Sequence, residues 1–103
     1  MLPRDQTPRQ YLMDLLAGIP RSSYELAALV GLPERDIEDH LLHIARSVAR
    51  DRMRRFVLEP SRCHDCNYVF RERTRLTRPS RCPLCRSEAI SAPRFMIAHR
   101  RLS

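Results

Sequence analysis

The sequence predicts an α+β fold, in which three helices are followed by short strands arranged around four cysteines. The first half of the chain holds three segments with helix caps and apolar residues at helical spacing. The second half holds short runs of aromatic and β-branched residues that are interrupted by prolines. All four cysteines lie in that half, as two Cys-x-x-Cys pairs. We therefore expect a helical part joined to a part that is organised by metal binding.

The first helix is predicted over residues 8–17. Thr7 is a suitable N-cap, and Pro8 is tolerated at the first helical position. Leucines then recur one turn apart, and Gly18 is expected to end the helix in the left-handed conformation. Residues 19–21 leave room only for a short extended piece.

The second and third helices are predicted over residues 23–30 and from 33 to about 50. Ser22 and Glu25 have the spacing of a capping box, and Gly31 is expected to end the second helix. The third helix has an apolar stripe at the spacing of one helix face, formed by Ile37, Leu41, Ile44, Ala45 and Val48.

The second and third helices also resemble a helix-turn-helix. Ala27 is small where two helices would cross, Gly31 lies in the turn, and Ile37 and Leu41 would hold the second helix of the pair on the first. A generic three-helix bundle is the alternative interpretation of the same pattern.

Three strands are predicted after the helices, over residues 56–59, 68–75 and 93–97. In the second of these, alternation would place Arg71, Arg73 and Arg75 on one face. Prolines at positions 60, 79 and 83 interrupt the segments between the strands.

The cysteine spacing predicts a structural zinc site with the ligands Cys63, Cys66, Cys82 and Cys85. Four thiolates complete a tetrahedron, so His64 is expected to be exposed to solvent and no coordination position is left for catalysis. Asn67 and Ser87 are the expected residues at which each zinc knuckle turns back. Buried free thiols and two disulfides are the alternatives.

Charge is distributed unevenly along the chain. The formal net charge is +7, and every one of the 19 basic residues is arginine. Residues 22–45 are acidic, whereas residues 46–103 are strongly basic. The N-terminus has no apolar signal region, and no apolar run is long enough to span a bilayer, so we expect a cytoplasmic protein without membrane contact.

The complete pattern resembles the small prokaryotic predicted transcriptional regulators in which a winged helix-turn-helix is fused to a rubredoxin-like zinc ribbon. The resemblance rests on three helices, a strand, C-x2-C-N-Y-V-F, P-S-R-C-P-L-C-R-S-E and P-R-F, and covers nearly the whole chain. It implies a winged helix whose wing hairpin is expanded to carry one structural Zn²⁺. The expected parts are a helix-turn-helix at residues 1–55 and a zinc ribbon or wing at residues 56–103, packed as one unit.

DNA binding is the first functional hypothesis, because clustered arginines suit phosphates and narrow minor grooves. The candidate contacts are Arg46, Arg50, Arg54, Arg55, Arg71, Arg73, Arg75 and Arg78. The acidic start of the third helix, with Glu34, Asp36, Glu38 and Asp39, argues against contact with bases there, since carboxylates are repelled by phosphates.

A protein-interaction adaptor of the transcription machinery, without sequence-specific DNA binding, is the alternative. In it the acidic third helix docks a basic partner, and the arginine-rich ribbon binds an acidic protein or stays solvated. No nucleophile with a base partner and no phosphate-binding loop is found, so we do not expect an enzyme. An iron-containing electron carrier is a further alternative to the zinc protein. Both a monomer and a homodimer are compatible with the sequence.

Overall fold

The computed structural model describes residues 5–71 and 75–100. Helices α1 (Pro8–Leu16), α2 (Ser23–Val30) and α3 (Glu34–Ala49) precede strands β1 (Arg54–Glu59) and β2 (Arg94–His99). The strands pair in antiparallel register from Arg54 opposite His99 to Glu59 opposite Arg94. Residues 60–93, which include the four cysteines, therefore lie between the two strands of one hairpin. The α+β class and the small antiparallel sheet are confirmed.

Reciprocal capping starts the first two helices close to the predicted positions. The Ser22 Oγ accepts a hydrogen bond from the Glu25 backbone N–H at 3.1 Å, and the Ser22 N–H donates to Glu25 Oε1 at 3.3 Å. Thr7 and Gln10 make the equivalent pair at the start of α1. Gly31, at φ 79°, ends α2 in the left-handed conformation that glycine adopts without steric cost.

The segment between α1 and α2 is connected to β2 by two isolated backbone bridges. The Gly18 N–H donates to the Ile97 carbonyl at 3.0 Å, and Arg21 exchanges backbone hydrogen bonds with Phe95 at 2.9 and 2.8 Å. Of the short extended piece predicted at residues 19–21, only Arg21 pairs with β2, which has β1 on its other side. The chain before α2 is consequently fixed to the C-terminal strand.

A single apolar cluster joins the helices to the sheet. Phe95 of β2 is completely buried and stacks on Phe56 of β1, with 6.0 Å between ring centroids. Leu76, from the segment between the two cysteine pairs, is also buried in this cluster. The other buried members come from all three helices and β2: Leu12, Leu16, Leu26, Val30, Ile37, Leu41, Ile44, Val48 and Ile97.

Asp51 fixes the turn between α3 and β1. Its Oδ1 accepts the Met53 N–H at 2.8 Å, and its Oδ2 accepts the Arg54 guanidinium Nε at 2.7 Å. The backbone N–H of Met53 and, next, the hydrogen bond from Arg54 hold the pKa of Asp51 below its usual value, since both favour the carboxylate. Strand β1 accordingly begins at Arg54, two residues before the predicted start.

The predicted strand over residues 68–75 is not formed in the part of it that the structure describes. Val69 makes one isolated bridge with Arg62, and the Arg71 N–H then bonds back to the Val69 carbonyl at 3.0 Å. This tight turn takes the chain out of line with its neighbour, so the prediction of a continuous strand was wrong. Arg73 lies outside the described residues.

The described part of the chain contains no helix with the length and apolar character needed to cross a membrane.

Candidate functional site

The four cysteines form one compact group. Their sulfur atoms all lie within 4.8 Å of one another, with Cys63 Sγ 3.5 Å from Cys85 Sγ and Cys66 Sγ 3.6 Å from Cys82 Sγ. Tetrahedral zinc with Zn–S bonds of about 2.3 Å places its sulfurs about 3.8 Å apart, close to these separations. All four thiols are free, so the disulfide alternative is wrong. The group fits one structural Zn²⁺.

The first zinc knuckle is held by two backbone hydrogen bonds. The Cys63 N–H donates to the Tyr68 carbonyl at 2.9 Å, and the Asn67 N–H donates to the Cys63 carbonyl at 3.0 Å. Asn67 has φ 65°, which is the left-handed conformation expected for it, and asparagine tolerates this conformation better than most residues do. The turn brings the Cys63 and Cys66 sulfurs close enough to bind the same metal.

The second knuckle has the same two backbone hydrogen bonds as the first, and it corrects one prediction. The Cys82 N–H donates to the Ser87 carbonyl at 2.8 Å, and the Arg86 N–H donates to the Cys82 carbonyl at 2.9 Å. Arg86, at φ 62°, is therefore the left-handed residue, and the assignment of this role to Ser87 was wrong. The residue directly after the second ligand must reverse the chain, whatever its side chain.

The surroundings of the cysteine group shift the pKa values of Cys82 and Cys66 in opposite directions. Burial raises the pKa of Cys82, but the backbone N–H groups of Cys85 and Leu84 and the neighbouring thiols lower that pKa to about 7. The Tyr68 N–H lowers the pKa of Cys66, yet burial and the three other cysteines raise it to about 12. Because zinc binds thiolates, metal binding must release protons from this group.

Little apolar surface supports the zinc site. Ile90 is buried with Cys63 and Cys82, and Tyr68 packs edge-on against Phe70 at 4.9 Å between centroids. The Ser87 hydroxyl donates to Asp65, which ties the second knuckle to the first. With so small a cluster, the metal must supply much of the folding energy of this part of the chain. His64 is exposed and is not a member of the ligand group, as expected.

The outer face of α3 is more basic than the sequence suggested. Glu34 turns toward α2, where its Oε1 accepts the Ser23 hydroxyl at 2.7 Å. Glu38, one turn later on the same side, has its Oε2 buried without a hydrogen-bond partner among the described residues. Two of the four acids at the start of α3 are thus turned away from the exposed stripe that carries Arg46 and Arg50.

Among the other candidate arginines, Arg54 is held by Asp51, and Arg55 is exposed on β1. Arg71 and Arg75 are exposed, and Arg78 lines a cleft of about 550 Å³ with Ser22 and Glu34. The structure does not bring these arginines together on one strand face. Sequence reasoning missed Arg35, which is exposed on the outer face of α3, and Arg62 and His64, which line a cleft with Arg71. Alternation about the ligand Cys63 could have revealed Arg62.

Two family models match successive parts of the chain. Residues 7–57 match the PF0610-like N-terminal model, and residues 60–100 match the PF0610 rubredoxin-like zinc β-ribbon domain. A comparison with curated proteins found no match.

Among solved structures, the chain is similar to the solution NMR structure of protein PF0610 from Pyrococcus furiosus. The two sequences are 29% identical, the alignment covers 99% of this chain and 96% of that chain, and the TM-score is 0.73. The similarity therefore includes both the helices and the cysteine region. The chain combines a PF0610-like N-terminal domain with a rubredoxin-like zinc ribbon that holds one structural Zn²⁺.

Proposed function

We propose that the protein is a cytoplasmic, non-enzymatic DNA-binding transcriptional regulator in which zinc has a structural role. The observation that carries the proposal is the outer face of α3, where Arg35, Arg46 and Arg50 are exposed opposite the buried stripe of the helix. These positions share a face because residues four and eleven apart lie nearly in line along a helix.

The order of elements supports a winged helix-turn-helix. Helices α2 and α3 are joined by the short turn at Gly31, and the antiparallel hairpin β1–β2 follows α3 directly. Isolated backbone bridges from Ala17 to Ile97 and from Arg21 to Phe95 also connect the chain before the second helix to β2. Residues 60–93 then occupy the place of a wing tip, and the zinc ribbon is an expanded wing in this proposal.

The positions of the acids remove part of the electrostatic objection to DNA binding. Glu34 and Glu38 lie on the side of α3 that turns away from its exposed arginines. Of the four acids, Asp36 and Asp39 would therefore be nearest to a major groove. Contact is therefore proposed at the C-terminal end of α3, where Arg46 and the C-cap residue Arg50 are one turn apart. Arginine there is suited to both phosphates and guanine edges.

The test is the affinity for duplex DNA measured by fluorescence anisotropy across a range of salt concentrations. We expect the Arg46→Gln/Arg50→Gln variant to bind about eightfold less tightly at 0.1 M salt for each phosphate that it no longer neutralises, with the salt slope reduced by about 0.9 per phosphate. Arg81→Gln/Arg94→Gln is the matched control, because it removes the same charge from exposed positions outside α3. If both variants lose the same affinity, the decrease results from the lower net charge alone, and this outcome would contradict a DNA contact on α3.

A protein-interaction adaptor is the second candidate, favoured by a groove of about 530 Å³ along α3. Leu42, which is 40% exposed, lines this groove with two acids and with basic residues that include Arg46 of the proposed DNA contact: Asp36, Asp39, Arg9, His40, His43 and Arg46. An apolar side chain beside two carboxylates suits a basic amphipathic segment of a partner protein. Failure of the wild-type protein to bind any duplex DNA at low salt would favour this function over the regulator.

A further inference from the structure

The extended backbone at Arg62 and Cys63, which begins the first zinc knuckle, lies between two other short segments. Arg62 bridges Val69 on one side, and Cys63 bridges Ile90 on the other. The Arg62 N–H donates to Ser91 Oγ at 2.8 Å, and the Ser91 N–H donates to the Arg62 carbonyl at 2.9 Å. The segment that carries Arg62 is consequently held from both sides.

Alternation along these segments separates two faces. Cys63 points to the face that packs Ile90, Tyr68 and Phe70 around the metal site. Its neighbour Arg62 must then lie on the opposite face, since successive side chains in extended backbone alternate. His64, the first residue of the following turn, reaches the same face. Both residues line a cleft of about 400 Å³ on that face, together with Glu59, Pro60, Val69, Arg71 and Ser91.

The cleft presents hydrogen-bond donors that are available to a ligand. Arg62 and Arg71 are exposed, and neither forms an ion pair with any residue in the described part of the chain. The Ser91 oxygen already accepts the Arg62 N–H, so its own hydrogen can be donated elsewhere. Glu59 is the one acid among the described residues that line the cleft. Two guanidinium groups and a hydroxyl are the donor set that a phosphate group accepts.

We propose that this cleft, formed by Arg62, Arg71 and Ser91 on the outer face of the first knuckle, binds a backbone phosphate of duplex DNA. The inference rests on the proposed function and adds a second contact region, on the ribbon. Zinc has a defined part in it, because the metal fixes Cys63 and therefore the backbone that carries Arg62. A phosphate contact positions the protein on the duplex without reading base sequence.

The experiment compares full-length, zinc-loaded variants by anisotropy on random-sequence duplex DNA. Arg62→Gln/Arg71→Gln should lower affinity at 0.1 M salt by about eightfold for each phosphate that is no longer bound, and should reduce the salt slope by about 0.9 per phosphate. Glu59→Gln should increase affinity, because it removes a carboxylate that would repel a phosphate in the cleft. The control Arg81→Gln/Arg94→Gln should change affinity less than the cleft variant does. Zinc content is measured for every variant to verify that the ribbon is folded.

The outcomes distinguish this inference from the proposed function. If the wild-type protein does not bind DNA, the proposed function fails and the inference fails with it. If the wild-type protein binds, and Arg46→Gln/Arg50→Gln weakens binding while Arg62→Gln/Arg71→Gln behaves like the control, only the cleft assignment is overturned. Weaker binding and a reduced slope in a zinc-loaded cleft variant, with the opposite change in Glu59→Gln, support the assignment.

Discussion

Asn67 and Arg86 occupy the same position in the two knuckles, directly after the second cysteine ligand, and both have a left-handed backbone at φ 65° and 62°. That conformation costs an L-residue roughly 1–2 kcal/mol, because its Cβ approaches the following carbonyl oxygen. Asparagine lowers the cost and glycine avoids it, whereas arginine does neither. The second knuckle therefore carries more backbone strain than the first.

Replacing Arg86 with glycine should stabilise the ribbon. We expect a gain of about 0.5 kcal/mol, which is the relief of the left-handed strain minus the greater entropy loss of glycine on folding. The measurement is the denaturant midpoint of the zinc-loaded protein. Arg81→Gly is the control, since Arg81 has no positive φ and the change there should destabilise. Stabilisation by both substitutions would show that loss of charge, and not backbone strain, is responsible.

The metal ligands could be predicted from the sequence because the chemistry of zinc imposes the spacing of Cys63, Cys66, Cys82 and Cys85. The left-handed residue of the second knuckle could not be read from residue type, since Ser87 is small and Arg86 is not. Its position follows from the hydrogen bond between the Arg86 N–H and the Cys82 carbonyl, which repeats the bond of Asn67 in the first knuckle. Comparison of the two knuckles by position would have given the correct residue.

At the scale of elements, α2 is so short that it depends on its caps as well as on the packing of Leu26 and Val30. It spans eight residues, Ser23–Val30, and helices of this length are not stable alone in water. Ser22 at its start and Gly31 at its end satisfy backbone groups that would otherwise have no partner. Both residues are identifiable in the sequence, which is why the bounds of this helix were predicted correctly.

The capping box gives a direct test of this dependence. Ser22→Ala should destabilise the protein by about 1 kcal/mol, because the hydroxyl that accepts the Glu25 N–H is removed. Chemical denaturation followed by far-ultraviolet circular dichroism measures the decrease. Ser47→Ala is the control, at an exposed position inside α3, where alanine is the better helix former and no destabilisation is expected. Equal stability of the Ser22 variant and the wild type would contradict the structural role of the cap.

The strand over residues 68–75 shows where prediction from sequence fails. Its alternating composition is typical of a strand, but strand formation depends on a neighbouring backbone as much as on residue type. Phe70 still donates its N–H to the Ser61 carbonyl at 3.0 Å, whereas the Arg71 N–H bonds back to Val69. The partner segment and this local turn both depend on the folded zinc knuckle. The knuckle is formed by residues far apart in the chain, so a short stretch of sequence cannot predict either feature.

At the scale of the whole molecule, two apolar clusters of unequal size are linked through one hairpin. The large cluster contains the helices together with Phe95 and Ile97 of β2, and the small one contains Ile90 beside the cysteines. The sequence predicted the helical part well, because its stripes and caps are local features. It did not predict that Leu76, located between the cysteine pairs, would be buried in the large cluster.

Zinc removal by a chelator should therefore unfold the ribbon and weaken the helical part without unfolding it. Residues 60–93 would become a long flexible loop between β1 and β2, and loop-closure entropy rises only slowly with length. Removal of Leu76 from the core takes away a further contribution of roughly 1.5–3 kcal/mol. Hydrogen exchange followed by NMR should show faster exchange of the Cys63 and Cys82 amides, and retained but reduced protection in α1 and α3.

Cys63→Ser is the matched variant for this experiment, because it removes one buried ligand without adding a chelator. It should reproduce the exchange pattern of the chelated protein, and addition of zinc should restore protection only in the wild type. If the amides of α1 and α3 exchange together with those of the ribbon, the two parts unfold as one unit. In that case the pairing of β2 with β1 and its bridges to Ala17 and Arg21 transmit the effect of zinc removal to the entire core.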